Sequence, residues 1–149
     1  LNALLSLKRV QWGIDFLADV AVHYDEASLS PRVLAGFYKE WPDVKLYGEY
    51  YYDESTTVGV DQVAGLACGF NNILDTQLDL GLQVIHSFLD NSGTLTGGIT
   101  WKPWKYITAT VALPIVYGLG EGRYVATYDS NATGTCLSLV FGLEMEVTF

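Results

Sequence analysis

The feature that most constrains this chain is a period of two. Apolar residues alternate with small or polar ones through one short segment after another, whereas a helix would repeat at three and four residues. Over residues 11–23, Trp12, Ile14, Phe16, Ala18, Val20 and Val22 share one face, and Gly13, Asp15, Leu17, Asp19 and Ala21 the other. Residues 76–88 set Leu78, Leu80, Leu82 and Val84 against Gln77, Asp79, Gly81 and Gln83. Residues 106–117 set Ile107, Ala109, Val111, Leu113 and Ile115 against Thr108, Thr110, Ala112 and Pro114. The closing FGLEMEVTF alternates most cleanly, with Phe141, Leu143, Met145, Val147 and Phe149 on one side. The pattern predicts strands near 1–7, 11–23, 32–41, 44–53, 62–70, 76–88, 94–101, 106–117 and 133–149. Segments 32–41 and 62–70 fit less well, because both of their faces are apolar or small.

A chain of 149 residues suits one domain. Half of it is hydrophobic and its mean hydropathy is +0.21, yet the apolar residues do not gather into a membrane helix. The longest uncharged stretch, 106–120, is broken by Thr108, Thr110, Pro114 and Gly118, and a spanning helix needs about 20 apolar residues in a row. Ten tyrosines, four tryptophans and fifteen glycines fit an antiparallel all-β fold. A net charge of −9 argues against a nucleic-acid partner, which requires a basic stripe. Cys68 and Cys136 are expected on opposite faces and at opposite ends, hence as free thiols. LNALLSLKRV shows neither a basic n-region nor a cleavage site, and no initiator Met. The expectation is a mature chain or one cut from something longer.

Soluble sandwiches also alternate, with the apolar face inward. Three features favour the opposite arrangement, in which the apolar face looks at lipid. The second face is rich in Gly, Thr, Ser, Gln, Asp and Glu, as a wet lumen requires. The predicted connections tend to alternate in length: 8–10, 42–43, 71–75 and 102–105 are short, while 23–30, 53–61 and 118–132 are long, with 90–93 a short exception. All four tryptophans (Trp12, Trp41, Trp101 and Trp104) fall beside the short turns, as do Phe70 and Phe149, while Tyr50, Tyr52, Phe88 and Tyr117 fall at the other end. Two aromatic girdles at membrane interfaces would produce this placement.

With these strands and FGLEMEVTF in view, the chain resembles the bacterial outer-membrane β-barrel family. The resemblance covers the whole chain in architecture and the last nine residues in motif. It implies that Phe149, with Val147, Met145, Leu143 and Phe141, is the assembly signal read by the barrel-insertion machinery. It also implies an antiparallel up-and-down transmembrane β-barrel in the bacterial outer membrane. The eight clear strands are joined by LNALLSL, which looks like part of a ninth. Bacterial single-chain barrels have even strand numbers, so the preferred expectation is the C-terminal part of a larger barrel. An eight-stranded single barrel spanning 1–149 is the alternative.

In this register the lumen collects Asp15, Asp19, Glu49, Asp79, Glu144 and Glu146, with Lys45 as the main counter-charge. Carboxylates around a wide pore favour cations through their field, so a passive channel for small cationic or neutral solutes is expected. In a narrow barrel the same groups would form a polar plug, leaving a structural or adhesive protein that works through its outer loops. Six of the eight cationic residues (Lys8, Arg9, Lys39, Lys45, Lys102 and Lys105) sit near the short-turn end. Acidic residues, among them Asp25, Glu26, Asp53, Glu54, Asp61, Asp90, Glu121 and Asp129, crowd the long loops, where solvation explains them; none has the spacing of a calcium loop.

No enzyme is expected, nor any cofactor or metal. His86 and Ser87 are adjacent on a strand and point to opposite faces, and His23 has only Asp25 nearby. The motifs of the proteolytic and lipolytic barrels are missing. GLGEG at 118–122 lacks the Lys-Ser and helix of a phosphate loop and reads as a flexible outer loop. Asn131-Ala-Thr133 is an accidental sequon. In YGEYYYDE, Tyr47, Glu49 and Tyr51 face inward while Tyr50 and Tyr52 join a girdle.

Overall fold

In the computed structural model, residues 2–25, 28–54, 60–104, 107–118, 122–128, 136–137 and 140–145 are described. The strands are β1 (Asn2–Gln11), β2 (Ile14–Asp25), β3 (Ser28–Glu40), β4 (Val44–Asp53), β5 (Asp61–Phe70), β6 (Leu78–Ser87), β7 (Ser92–Trp104), β8 (Ile107–Tyr117), β9 (Cys136–Leu137) and β10 (Val140–Met145). A 3₁₀ turn (Ile73–Asp75) lies between β5 and β6, and a short helix, α1 (Arg123–Tyr128), follows β8. The fold is all-β. Each strand pairs antiparallel with its neighbour in sequence, in the order β1-β2-β3-β4-β5-β6-β7-β8-β10, with β9 also on β8. Val116 stands opposite Cys136 and Ala112 opposite Val140, so β9 and β10 continue one register along β8.

The sheet is up-and-down but open, and here the structure departs from the expected closed barrel. Among the described residues nothing pairs β1 with β10. Parity supplies a physical reason. Counting β9 and β10 as one line, eight reversals separate the first strand from the last, so the two run in the same direction. Antiparallel closure between them is therefore unavailable.

Register partners share a face, so the pairing joins the alternation of single strands into two continuous surfaces. One row crosses Leu7, Ala18, Ala35, Tyr50, Ala64, His86 and Gly93. The next crosses Ser6, Asp19, Leu34, Tyr51, Val63, Ser87 and Ser92. The first surface is apolar nearly throughout. The second carries the carboxylates, the threonines of β7 and β8, and Gly36, Gly65, Gly69, Gly81 and Gly98. Little covers the apolar face: Leu66, Leu82, Leu95, Ile99 and Val111 are all exposed, Ile99 to 50%. Val116 and Val125 are the buried hydrophobic residues among those described.

Several turns differ from expectation. Residues 8–10 lie inside β1, and the chain reverses at Trp12-Gly13, whose φ values are 54° and 68°. Two consecutive left-handed residues make the primed turn that matches strand twist. Lys39 holds the turn by donating to the carbonyls of Trp12 (3.3 Å) and Gly13 (2.6 Å). Alanine at Gly13 is expected to cost about 1–2 kcal/mol, since a Cβ penalises the left-handed region; chemical denaturation in detergent would measure it.

The predicted long loop at 23–30 shrinks to two residues, because β2 runs to Asp25 and β3 starts at Ser28. Lys102, Pro103 and Trp104 belong to β7 beyond a register shift rather than to a turn. The predicted loop 118–132 contains α1. Val147, Phe149 and Glu146 lie outside the described residues, as do 119–121 of GLGEG.

Candidate functional site

The tight turn at Trp12-Gly13, the connection 41–43, the 3₁₀ turn and the end of β7 all lie at one end of the sheet. Trp12, Trp41, Trp101 and Trp104 are together at this end and are all exposed, Trp12 to 83%. Lys39 sits over the Trp41 ring at 5.4 Å. The opposite end carries Tyr50, Tyr52, His86, Phe88 and Tyr117. There His86 Nδ1 is 3.0 Å from the Tyr117 hydroxyl, and its ring meets Phe88 edge-on at 4.7 Å. His86 belongs to the apolar face and Ser87 to the polar one, so they form no catalytic pair. Cys68 pairs in register with Leu46 and Leu82 on the apolar face, and Cys136 with Val116 on the other.

Pairing brings the expected lumen residues Asp15, Asp19, Glu49 and Asp79 to the polar face, with Lys45; Glu144 takes the same face by its register opposite Thr108. Their charge balance differs from expectation. Lys45 pairs with Glu40 across the β3–β4 hairpin at 3.1 Å, because the two are register partners. Asp79 is matched instead by Lys102 at 2.5 Å and by the backbone N–H of Asn72 at 2.9 Å. Asp15, Asp19 and Glu49 form no ion pair among the described residues. Glu49 accepts from the Tyr47 hydroxyl.

The other end of the polar face holds a network that sequence reasoning missed. Asp53 and Asp61 are opposed directly across β4 and β5, and both are buried. Like charges so placed repel, and an arginine from a different element answers each. Arg32 on β3 meets Asp53 at 3.1 Å, where Tyr51 also donates at 2.6 Å. Arg123 on α1 meets Asp61 at 2.7 Å. The backbone N–H of Arg123 donates to Asp90 at 2.6 Å, and the Ser92 hydroxyl donates to the same carboxylate at 2.7 Å. Val125 is wholly buried; its methyl group lies close to Gly118. These contacts lay α1 over the polar face. Tyr124 thereby closes one side of a cavity of about 330 Å³ above β4, β5 and β6.

The helix is too short to be stable alone, so its docking depends on these contacts. Arg123→Ala is expected to weaken docking by about 1–2 kcal/mol, below the 3–5 of a fully buried pair because the arginine is 44% exposed. Faster amide exchange over 123–128 would register it. Burial disfavours charge on Asp90, but the Arg123 and Ser92 donors outweigh it and hold the carboxyl below its usual range. A lowered pKa stabilises above the ordinary carboxylate value, about 3.9, and that stabilisation is lost as pH falls through the lowered one. Amide protection of α1 is thus expected to persist at neutral pH and to collapse only in strong acid, an effect that Asp90→Asn would remove.

The all-β antiparallel meander and its two-faced register define the class of structure. No protein-family model, curated protein or solved structure matches the chain.

Proposed function

We propose that this chain forms the wall of a bacterial outer-membrane β-barrel that conducts small cationic or neutral solutes. The observation that carries the reading is the pairing register. It gathers Asp15, Asp19, Glu49 and Asp79 onto one face and leaves exposed apolar side chains on the opposite face from β1 to β8. A water-soluble protein does not leave Leu66, Leu82, Leu95, Ile99 and Val111 side by side in solvent, whereas lipid is their natural medium. The tryptophans gathered at one end suit a membrane interface. The open edges of β1 and β10 cannot stay unpaired in hydrocarbon. Since antiparallel closure needs an even count, in this reading the wall is completed by strands beyond the nine lines seen here. Phe141, Leu143 and Met145, leading to Val147 and Phe149, serve recognition by the insertion machinery.

In this reading the solute diffuses along a polar lumen, and no bond is made or broken. Carboxylates without a cationic partner supply a negative field that enriches cations. One observation favours a second reading. α1 lies over the polar face, and a lumen narrowed enough by it would make a non-conducting barrel that acts through its outer loops. Detergent-refolded full-length protein should migrate faster on gels when unheated and give discrete cation-selective steps in a planar bilayer. Heat-modifiable migration without conductance would favour the second reading. Compact solubility without detergent would refute both.

A further inference from the structure

The cavity under α1 has a composition that the channel reading does not use. Tyr47, Glu49 and Tyr51 reach it from alternate positions of β4, and Tyr124 reaches it from the helix. Gly65 and Ala67 form part of its floor, with Val63, Gln83 and Ile85 beside them. A Cβ built on Gly65 would meet nothing nearer than the Val84 carbonyl oxygen at 3.9 Å, so the space above this glycine is unfilled. The pocket therefore combines three phenol rings, one carboxylate without a cationic partner among the described residues, and room for a small organic molecule.

Aromatic faces attract cations through the ring quadrupole, most strongly where water is excluded. The tyrosine rings alone would take any apolar guest of the right size. Glu49 adds a negative charge, and an ammonium group suits both features at once. A simple metal ion would gain little from the rings and finds too few oxygen ligands here. We propose that this cavity is a binding site for small organic ammonium ions, held by cation–π contact with Tyr47, Tyr51 and Tyr124 and by the charge of Glu49. The site rests on the proposed orientation of the polar face towards an aqueous lumen, and it would make organic amines preferred solutes.

The test is ligand-observed proton NMR on the detergent-refolded full-length protein. The probes are choline and its uncharged carbon isostere, 3,3-dimethyl-1-butanol. Saturable choline binding is expected, with the neutral isostere weaker by about tenfold or more. Glu49→Gln should weaken choline by a similar factor. Tyr124→Phe should retain binding, because the ring face is kept, while Tyr124→Leu should lose it. Gly65→Val places a side chain in the cavity where a Cβ meets nothing closer than 3.9 Å, and it should weaken choline binding while leaving heat-modifiable migration intact. Equal affinity for the two probes, or choline affinity unchanged by Gly65→Val, would overturn the proposal. So would absence of choline binding in a protein that does conduct, which separates this failure from failure of the channel reading. Choline binding with the expected variant pattern in a non-conducting barrel would uphold the site and reject the channel.

Discussion

Arginine in place of Leu82 is expected to cost the full-length protein about 2–4 kcal/mol of stability in a lipid bilayer. Arginine one residue on, at Gln83, should cost far less. Leu82 lies midway along β6, opposite Cys68 on one side and Gly97 on the other, and it is 47% exposed. The open half of its side chain points away from the polar face, so in a membrane its medium is hydrocarbon. Gln83 stands between Ala67 and Thr96 on the polar face, where a guanidinium stays hydrated.

A costly Leu82→Arg alone would not separate lipid from a soluble apolar core, because both punish a charge. Depth separates them. Leu78 is on the same face but opposite Trp101 at the tryptophan end, where a bilayer gives way to its interface and an arginine costs about 0–1 kcal/mol. The penalty should therefore fall from Leu82 to Leu78. Denaturant titration in lipid vesicles measures all three variants. A penalty equal at Leu78 and Leu82, or equal at Leu82 and Gln83, would refute a lipid-facing surface.

The alternation that makes this prediction possible was plain in the sequence, because a strand writes its two faces into adjacent residues. Leu78, Leu80 and Leu82 need no partner to declare their side, and the carboxylates Asp15, Asp19, Glu49 and Asp79 reach one face by the same rule. Turns were less legible. Lys8 and Arg9 look like a turn, yet two charges also fit the edge strand β1, where their long stems extend from exposed backbone. The actual reversal, Trp12-Gly13, places a bulky residue in the left-handed region, where asparagine or aspartate is the usual signal. The polar 23–30 segment read as a loop because strands were expected to stop where apolar residues stop; pairing instead carries β2 and β3 nearly to the tip.

Long-range charge pairing left no local mark. Arg123 and Asp61 are 62 residues apart, and six helical residues show too little period to announce a helix. The one clue was the burial that two opposed aspartates demand, and that appears only when the register of β4 and β5 is known. The Glu40–Lys45 pair, by contrast, is local: the two close the β3–β4 hairpin as register partners.

Reversing Asp15, Asp19 and Glu49 to lysine is expected to turn a cation-preferring pore into an anion-preferring one, moving the permeability ratio by about tenfold or more. These three carry charge on the polar face with no ion-pair partner among the described residues, so their field is available to a passing solute. Asp79 provides the internal control. Its carboxylate already meets Lys102 at 2.5 Å, and a paired dipole projects little field across a wide lumen. Asp79→Asn should therefore leave Lys102 uncompensated and shift selectivity modestly towards anions, while Lys102→Gln should uncover Asp79 and raise cation preference. Reversal potentials under a potassium chloride gradient read all of these directly. If the triple reversal left the sign of the reversal potential unchanged, the polar face would not line the conducting path. If Lys102→Gln left cation preference unchanged, the pair at the tryptophan end would lie outside the conducting path, and Asp15, Asp19 and Glu49 alone would sort solutes.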